Sequence, residues 1–165
     1  MLSINYIKSS VKYNLMNKII AVVGLCGSGK SEAVKTFVEK GWQRVYFGDP
    51  VFEEMRSKGL DVNEKNERKT RERLRKDFGM AAMAILSIDK IKDLISKGNV
   101  VIESLYSWEE YKVIKEIFGE DFKLLALYTD KHLRYERLSR RKERHLTFEE
   151  SASRDISEIE NLNKA

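Results

Sequence analysis

The chain has 165 residues, 42% of them hydrophobic, and a net charge of +5, which is enough for one domain with one core. No apolar run approaches the ~20 residues of a membrane span, and residues 1–17 lack the continuous apolar region and small-residue cleavage site of a secretory signal. The single cysteine rules out an internal disulfide and fits a reducing, cytoplasmic setting, while the positive charge suits an anionic ligand without choosing between nucleotide and nucleic acid.

In chain order, residues 1–17 read as an N-terminal extension, and Met16 is the expected start of the domain proper. Ile19 to Val23 is a β-type apolar run that ends at Gly24. Gly29, Lys30 and Ser31 follow five positions on and complete the phosphate-loop pattern G-x-x-x-x-G-K-[ST] between a strand and a helix. The chemistry asks for these residue types. Glycine lets the chain turn and brings its amides close to phosphate oxygens. The helix that opens at Lys30 adds free N–H groups and the positive end of its dipole. Gly24, Cys26, Gly27, Ser28, Gly29, Lys30 and Ser31 are therefore the nucleotide-binding candidates. Lys30 reaches the β- and γ-phosphates, and Ser31 holds Mg²⁺. Cys26 reads as a small loop residue, not a nucleophile.

Ala33, Val34, Phe37 and Val38 recur at helical spacing up to Gly41. Trp42–Phe47 reads as a strand, and Pro50 starts a short helix with Val51, Phe52 and Met55. Between Asp61 and Asp77 only Val62 and Leu74 are large and apolar, so a helix there rides on the outside of the domain. Met80–Lys97 predicts a long buried helix, with Met80, Ala84, Ile88, Ile91 and Ile95 on one face and Met83, Ile85, Leu86 and Leu94 widening it. Val100–Glu103 is a buried-type strand. Ser107 and Glu110 have capping-box spacing before a helix, as do Thr147 and Glu150. Phe122–Tyr128 is the last strand, and Asp130 caps a basic helix that runs to about Arg144.

Strands alternating with helices predict an α/β fold: a parallel sheet of about four strands, covered by helices on both faces. Ligands in such sheets bind beyond the carboxyl ends of the strands. Those ends deliver the phosphate loop, Asp49, Glu103 and Asp130 to one crevice. An acid after an apolar strand orients Mg²⁺, and Glu103 fits that role best. Asp49 is the candidate that positions or deprotonates an acceptor hydroxyl, or contacts an acceptor base. Arg134, Arg137, Arg141 and Arg144 share one helical face, with Tyr135 and Leu138 on another that holds the helix to the core. Clustered guanidinium groups neutralise phosphate charge in phosphoryl transfer. Arg137 and Arg141 are nucleotide candidates, Arg141 and Arg144 catalytic ones, and the stretch Arg140 to His145 reads as a mobile lid.

GLCGSGKSEA, FGDPVFEEM with the Gly-Leu that follows, LRKDFGMAAMA, FGEDF and RYERLSRR stand in an order and spacing that resembles the P-loop nucleotide kinases, the group of adenylate and dephospho-CoA kinases. Within that group the chain looks most like a mostly archaeal set of small kinase-like ATPases. The resemblance covers residues 18–161. It implies a three-layer P-loop NTPase fold with strand order 2-3-1-4, ATP and Mg²⁺ as cofactors, an acceptor-binding helical segment over 49–79 and an Arg-bearing lid over 137–148. It makes Arg75 a contact for an acceptor's phosphate and Arg154 an arginine facing the phosphates. Two departures matter. Relatives often read D-G-x-R after the third strand, where this chain has Glu103-Ser-Leu-Tyr106. Relatives also continue into a fifth strand, which is expected to be missing here, leaving Phe122–Tyr128 as an uncovered edge.

The expected activity is transfer of the ATP γ-phosphoryl to a nucleotide or nucleotide-like small molecule, by a monomer or homodimer. The alternative is an ATP-binding or ATPase regulatory module without an acceptor. Nucleic acid ranks last as a partner, because the chain has no recognised nucleic-acid motif and no aromatic-basic platform.

Overall fold

Four parallel strands in the order β2-β3-β1-β4 form the sheet that positions everything else. A computed structural model describes residues 17–142 and 145–159. The N-terminal extension, apart from Asn17, lies outside the described residues, as does the start expected at Met16. Strand β1 (Ile19–Val23) is central because it is apolar on both faces. It pairs with β3 (Val100–Glu103) from Ile19↔Val100 to Val22↔Glu103, and with β4 (Phe122–Ala126) from Ile19↔Phe122 to Val23↔Ala126. Strand β2 (Gln43–Tyr46) pairs with β3 and buries only Val45, as an edge strand does.

Two helical layers cover the sheet. On one face α4 (Ala82–Ile95) and α5 (Trp108–Phe118) pack Ile91, Ile95, Ile114 and Phe118 against Ile19, Ala21, Val45 and Ile102. Each such aliphatic side chain is worth about 1.5–3 kcal/mol when fully buried, so this layer holds most of the fold. On the other face α1 (Lys30–Glu39) sets Val34, Ala33 and Phe37 on Val22 and Val101. Helix α2 (Asp49–Ser57) carries Pro50 in its first turn and buries Val51 and Met55. Helix α3 (Glu64–Phe78) buries only Thr70 and Leu74, and rides on the outside as its composition predicts. Helix α4 starts two residues later than Met80, and Leu86 is exposed. That side chain faces a cleft with Pro50, Leu74 and Phe78 instead of widening the buried face.

Both expected capping boxes form. Ser107 accepts from the Glu110 amide while the Glu110 carboxylate takes the Ser107 amide, and Thr147 and Glu150 do the same. Asp130 caps α6 (Lys131–Ser139) through the amides of His132 and Leu133, and the Thr147 box opens α7 (Phe148–Ile159). Among the described residues the sheet has four strands, and β4 is an open edge, with Lys123 through Ala126 exposed. No described helix is long and apolar enough to cross a membrane.

Candidate active site

All four strands point their carboxyl ends at one rim, and the phosphate loop, residues 24–30, closes over the end of β1. The loop needs glycine at two places for two reasons. Gly24 has φ +149°, and a Cβ there would sit 2.6 Å from the Leu127 carbonyl. Gly27 has φ +81°, and a Cβ there would meet the Arg134 carbonyl at 2.9 Å and Leu138 at 3.2 Å. Any side chain at either position forces the loop off β4 or α6.

The loop's carbonyls are all held. Lys30 Nζ donates to Gly24 O at 2.6 Å and Leu25 O at 2.9 Å. Arg134 Nη1 donates to Cys26 O at 3.1 Å, Arg137 Nη1 to Gly27 O at 3.4 Å, and Thr129 Oγ1 to Ser28 O at 3.0 Å. The amides of Gly27, Gly29, Lys30 and Ser31 have no acceptor among the described residues, and the buried Ser28 hydroxyl has none either. A loop with every carbonyl tied and its N–H groups unanswered is built to take an anion. Burial pushes the Lys30 ammonium below its ordinary value, and the positive charges of Arg154 and Arg141 push it the same way. Glu158, paired with Arg154, answers part of that positive charge, and the remainder suits phosphate oxygens.

Ser31 Oγ donates to Glu103 Oε1 at 3.2 Å, so the loop's hydroxyl and the carboxylate that ends β3 converge. Two oxygen donors of this kind suit a hard cation. No group of three or more His, Cys, Asp or Glu residues able to hold a metal occurs among the described residues. The Ser31–Glu103 pair of oxygens fits Mg²⁺, which keeps waters and phosphate oxygens in its shell and needs few protein ligands.

The other candidates fall into two sets. Arg75 lines a pocket with Tyr46, Phe52, Arg71, Tyr106 and Glu110, and its Nε is buried without a partner. Burial moves the Arg75 guanidinium below its usual value. The Glu110 carboxyl, 1% exposed, is raised by burial although the Tyr106 and Ser107 amides donate to it. Arg154 pairs with Glu158 at 3.0 Å, and its charge and that of Arg141 are felt at Lys30. Asp49 stands apart from both: it opens α2, accepts from Lys90 Nζ at 2.7 Å, and does not line the pocket. Arg144 lies outside the described residues, as does part of the segment read as a lid.

One sequence expectation is corrected. Arg134 does not share an exposed phosphate-facing stripe with Arg137 and Arg141. It is 4% exposed, turned inward, and bound to Asp155 of α7 by two bonds of 2.8 and 2.5 Å. Helix α7 covers that part of α6, which spacing along α6 alone does not reveal. Sequence reading also missed the pocket's aromatic wall and Arg71. A signal existed, since Glu67, Arg71 and Arg75 recur at i, i+4 and so share one face of α3.

Comparison with known proteins agrees with this geometry. Residues 20–157 match the family described as AAA domain. A UPF0200 protein from Thermococcus onnurineus (strain NA1) is 39% identical over 125 residues, covering 74% of this chain and 68% of that protein. Among solved structures, TT1252 from Thermus thermophilus overlays with a TM-score of 0.60 at 18% identity, covering 90% of this chain and 85% of that one. A gluconokinase from Sinorhizobium meliloti 1021 overlays with a TM-score of 0.50 at 17% identity, covering 85% and 74%. At these identities the likeness of structure speaks for the fold alone, which is that of the P-loop kinases. The phosphate loop, the 2-3-1-4 sheet and a family match that runs from β1 into α7 make this chain a member of the UPF0200 family of P-loop proteins, carrying an AAA domain.

Proposed function

We propose that the protein is a Mg²⁺-dependent small-molecule kinase that passes the ATP γ-phosphoryl to a nucleotide-like acceptor bearing its own phosphate. The observation that carries this is the pocket beside Glu103. It offers two arginines of α3, one with a buried unpartnered Nε, opposite the aromatic rings of Tyr46, Phe52 and Tyr106. A guanidinium fork answers a phosphate, and ring faces answer a flat base.

In the transfer an acceptor oxygen forms a bond to the γ-phosphorus, the bond from that phosphorus to the β,γ-bridging oxygen breaks, and ADP leaves. Mg²⁺, when bound, neutralises charge on the β- and γ-oxygens. Ser31 and Glu103 orient it, and Lys30, Arg137 and Arg141 hold the nucleotide phosphates. Arg154 faces the phosphates from α7, and Arg75 fixes the acceptor. Asp49 is a positioning group for the acceptor once Lys90 gives way.

A screen of nucleoside monophosphates, dephospho-CoA and gluconate with γ-labelled ATP tests the reading. Label is expected on a phosphorylated, base-bearing acceptor. For that acceptor Arg75→Ala is expected to lower kcat/KM at least tenfold, about 1.4 kcal/mol, with ATP affinity unchanged. ATP hydrolysis with every acceptor unlabelled would replace this reading with an ATPase module. The metal role has its own test. Glu103→Gln is expected to depress turnover far more than MgATP affinity, since a carboxylate behind the cation acts on charge placement in transfer. Unchanged turnover would remove Glu103 from the metal site.

A further inference from the structure

Glu103 is not free to meet a cation. Its second oxygen, Oε2, is taken by Arg44 of β2, whose Nε and Nη2 both lie 2.6 Å away. The contact follows from the sheet. Val45 points into the core, so Arg44 and Tyr46 point to the opposite face. The register pairs Arg44 with Val101 and Tyr46 with Glu103, which makes Glu103 the diagonal neighbour of Arg44, within reach of a long side chain. With Ser31 on Oε1 and Arg44 on Oε2, both carboxylate oxygens are occupied.

We propose that Arg44 is a stand-in for the divalent cation at Glu103: it holds the carboxylate while the metal is absent, competes with the metal for it, and on displacement turns toward the acceptor pocket. This rests on the kinase reading of the site. Three observations carry it. Arg44 is a cation on the carboxylate that would orient another cation, and the two cannot crowd one oxygen without mutual repulsion. The Arg44 side chain is 48% exposed on an edge strand, so it has room to leave, whereas the Glu103 side chain is 13% exposed and stays. The guanidinium carbon already lies 5.0 Å from the centroid of the Tyr46 ring. Tyr46 and Phe52, which stack at 6.4 Å, both line the acceptor pocket. A guanidinium leaving Glu103 therefore keeps an aromatic face to rest on and arrives on the acceptor's side of the site. Arrival of the metal-bearing nucleotide would thus ready the acceptor's side, which orders the two substrates.

The test is metal affinity, read without turnover. Mn²⁺ binding to the ADP complex is followed by electron paramagnetic resonance for the parent, Arg44→Gln and Arg44→Lys. Removing the competing charge at similar side-chain length is expected to tighten Mn²⁺ at least fivefold in Arg44→Gln. Arg44→Lys keeps the charge and is expected to stay within twofold of the parent. Equal or weaker Mn²⁺ binding in Arg44→Gln would overturn the proposal and leave an ordinary edge-strand ion pair. Equal tightening in both variants would overturn it as well, because the effect would then be one of shape and not of charge. A parent that binds no ADP, with or without Mn²⁺, would strike at the kinase reading itself and take this proposal with it.

Discussion

Lys30→Ala is expected to weaken MgATP binding by about 100-fold or more, because each hydrogen bond from a charged donor is worth about 1.5–3 kcal/mol and the ammonium has two to transfer from loop carbonyls to phosphate. Those two bonds go to Gly24 O and Leu25 O. The fold is expected to survive. Lys30 is part-buried at the start of α1, and the loop's other carbonyls keep Arg134, Arg137 and Thr129 as donors. Calorimetric titration with MgATP alongside thermal melting separates the two effects. Equal affinity in parent and variant would end the assignment of this loop to nucleotide phosphate. A collapse of the melting temperature would instead make Lys30 a structural residue.

The second large effect is expected at Asp155, which neither touches the loop nor belongs to a motif. Its carboxylate takes both forks of Arg134 and the Tyr135 hydroxyl, the latter at 3.0 Å, and it is 7% exposed. Arg134 also reaches Cys26 O and Thr129 O, so one guanidinium joins α7, α6 and the phosphate loop. Asp155→Ala leaves that buried charge without its counter-ion, and breaking a pair of this kind costs about 3–5 kcal/mol. Urea unfolding is expected to show a loss of that size, together with weaker nucleotide binding as the Cys26 carbonyl loses its anchored donor. A loss under about 1 kcal/mol would mean that α7 simply lifts away and that the pair holds nothing else.

The same pair has a pH signature. The hydrogen bonds from Arg134 hold the Asp155 carboxyl below its ordinary value. A depressed carboxyl contributes stability that is full above its unfolded value, near about pH 4, and is lost as pH falls through the lower folded one. In the parent, acid unfolding through this pair is therefore expected only below about pH 4. The Asp155→Ala variant should have a flatter stability profile there.

The short-range features of this protein were written in its sequence. The phosphate loop is contiguous, and its glycines, Lys30 and Ser31 act within one turn of chain. The capping boxes at Ser107 and Thr147 span four residues each. The alternation of apolar runs with helical spacing sets a parallel sheet, because consecutive parallel strands require crossovers. The resemblance to P-loop kinases then supplied the 2-3-1-4 order that the sheet adopts. What spacing cannot carry is what stands opposite a given face. The arginines of α6 share a stripe by the 3.6-residue rule, yet α7 docks over Arg134 and leaves Arg137 and Arg141 exposed. Arg44 and Glu103 lie 59 residues apart and meet only because β2 and β3 pair in one register. Asp49 sits at a strand end like Glu103, but α4 brings Lys90 to it. Arg75 was legible from family likeness, whereas its aromatic wall comes from three separate segments, at Tyr46, Phe52 and Tyr106. Local backbone geometry determines which side chains share a face. Only packing, which weighs every layer against every other, decides whether that face meets solvent, ligand or a buried counter-ion.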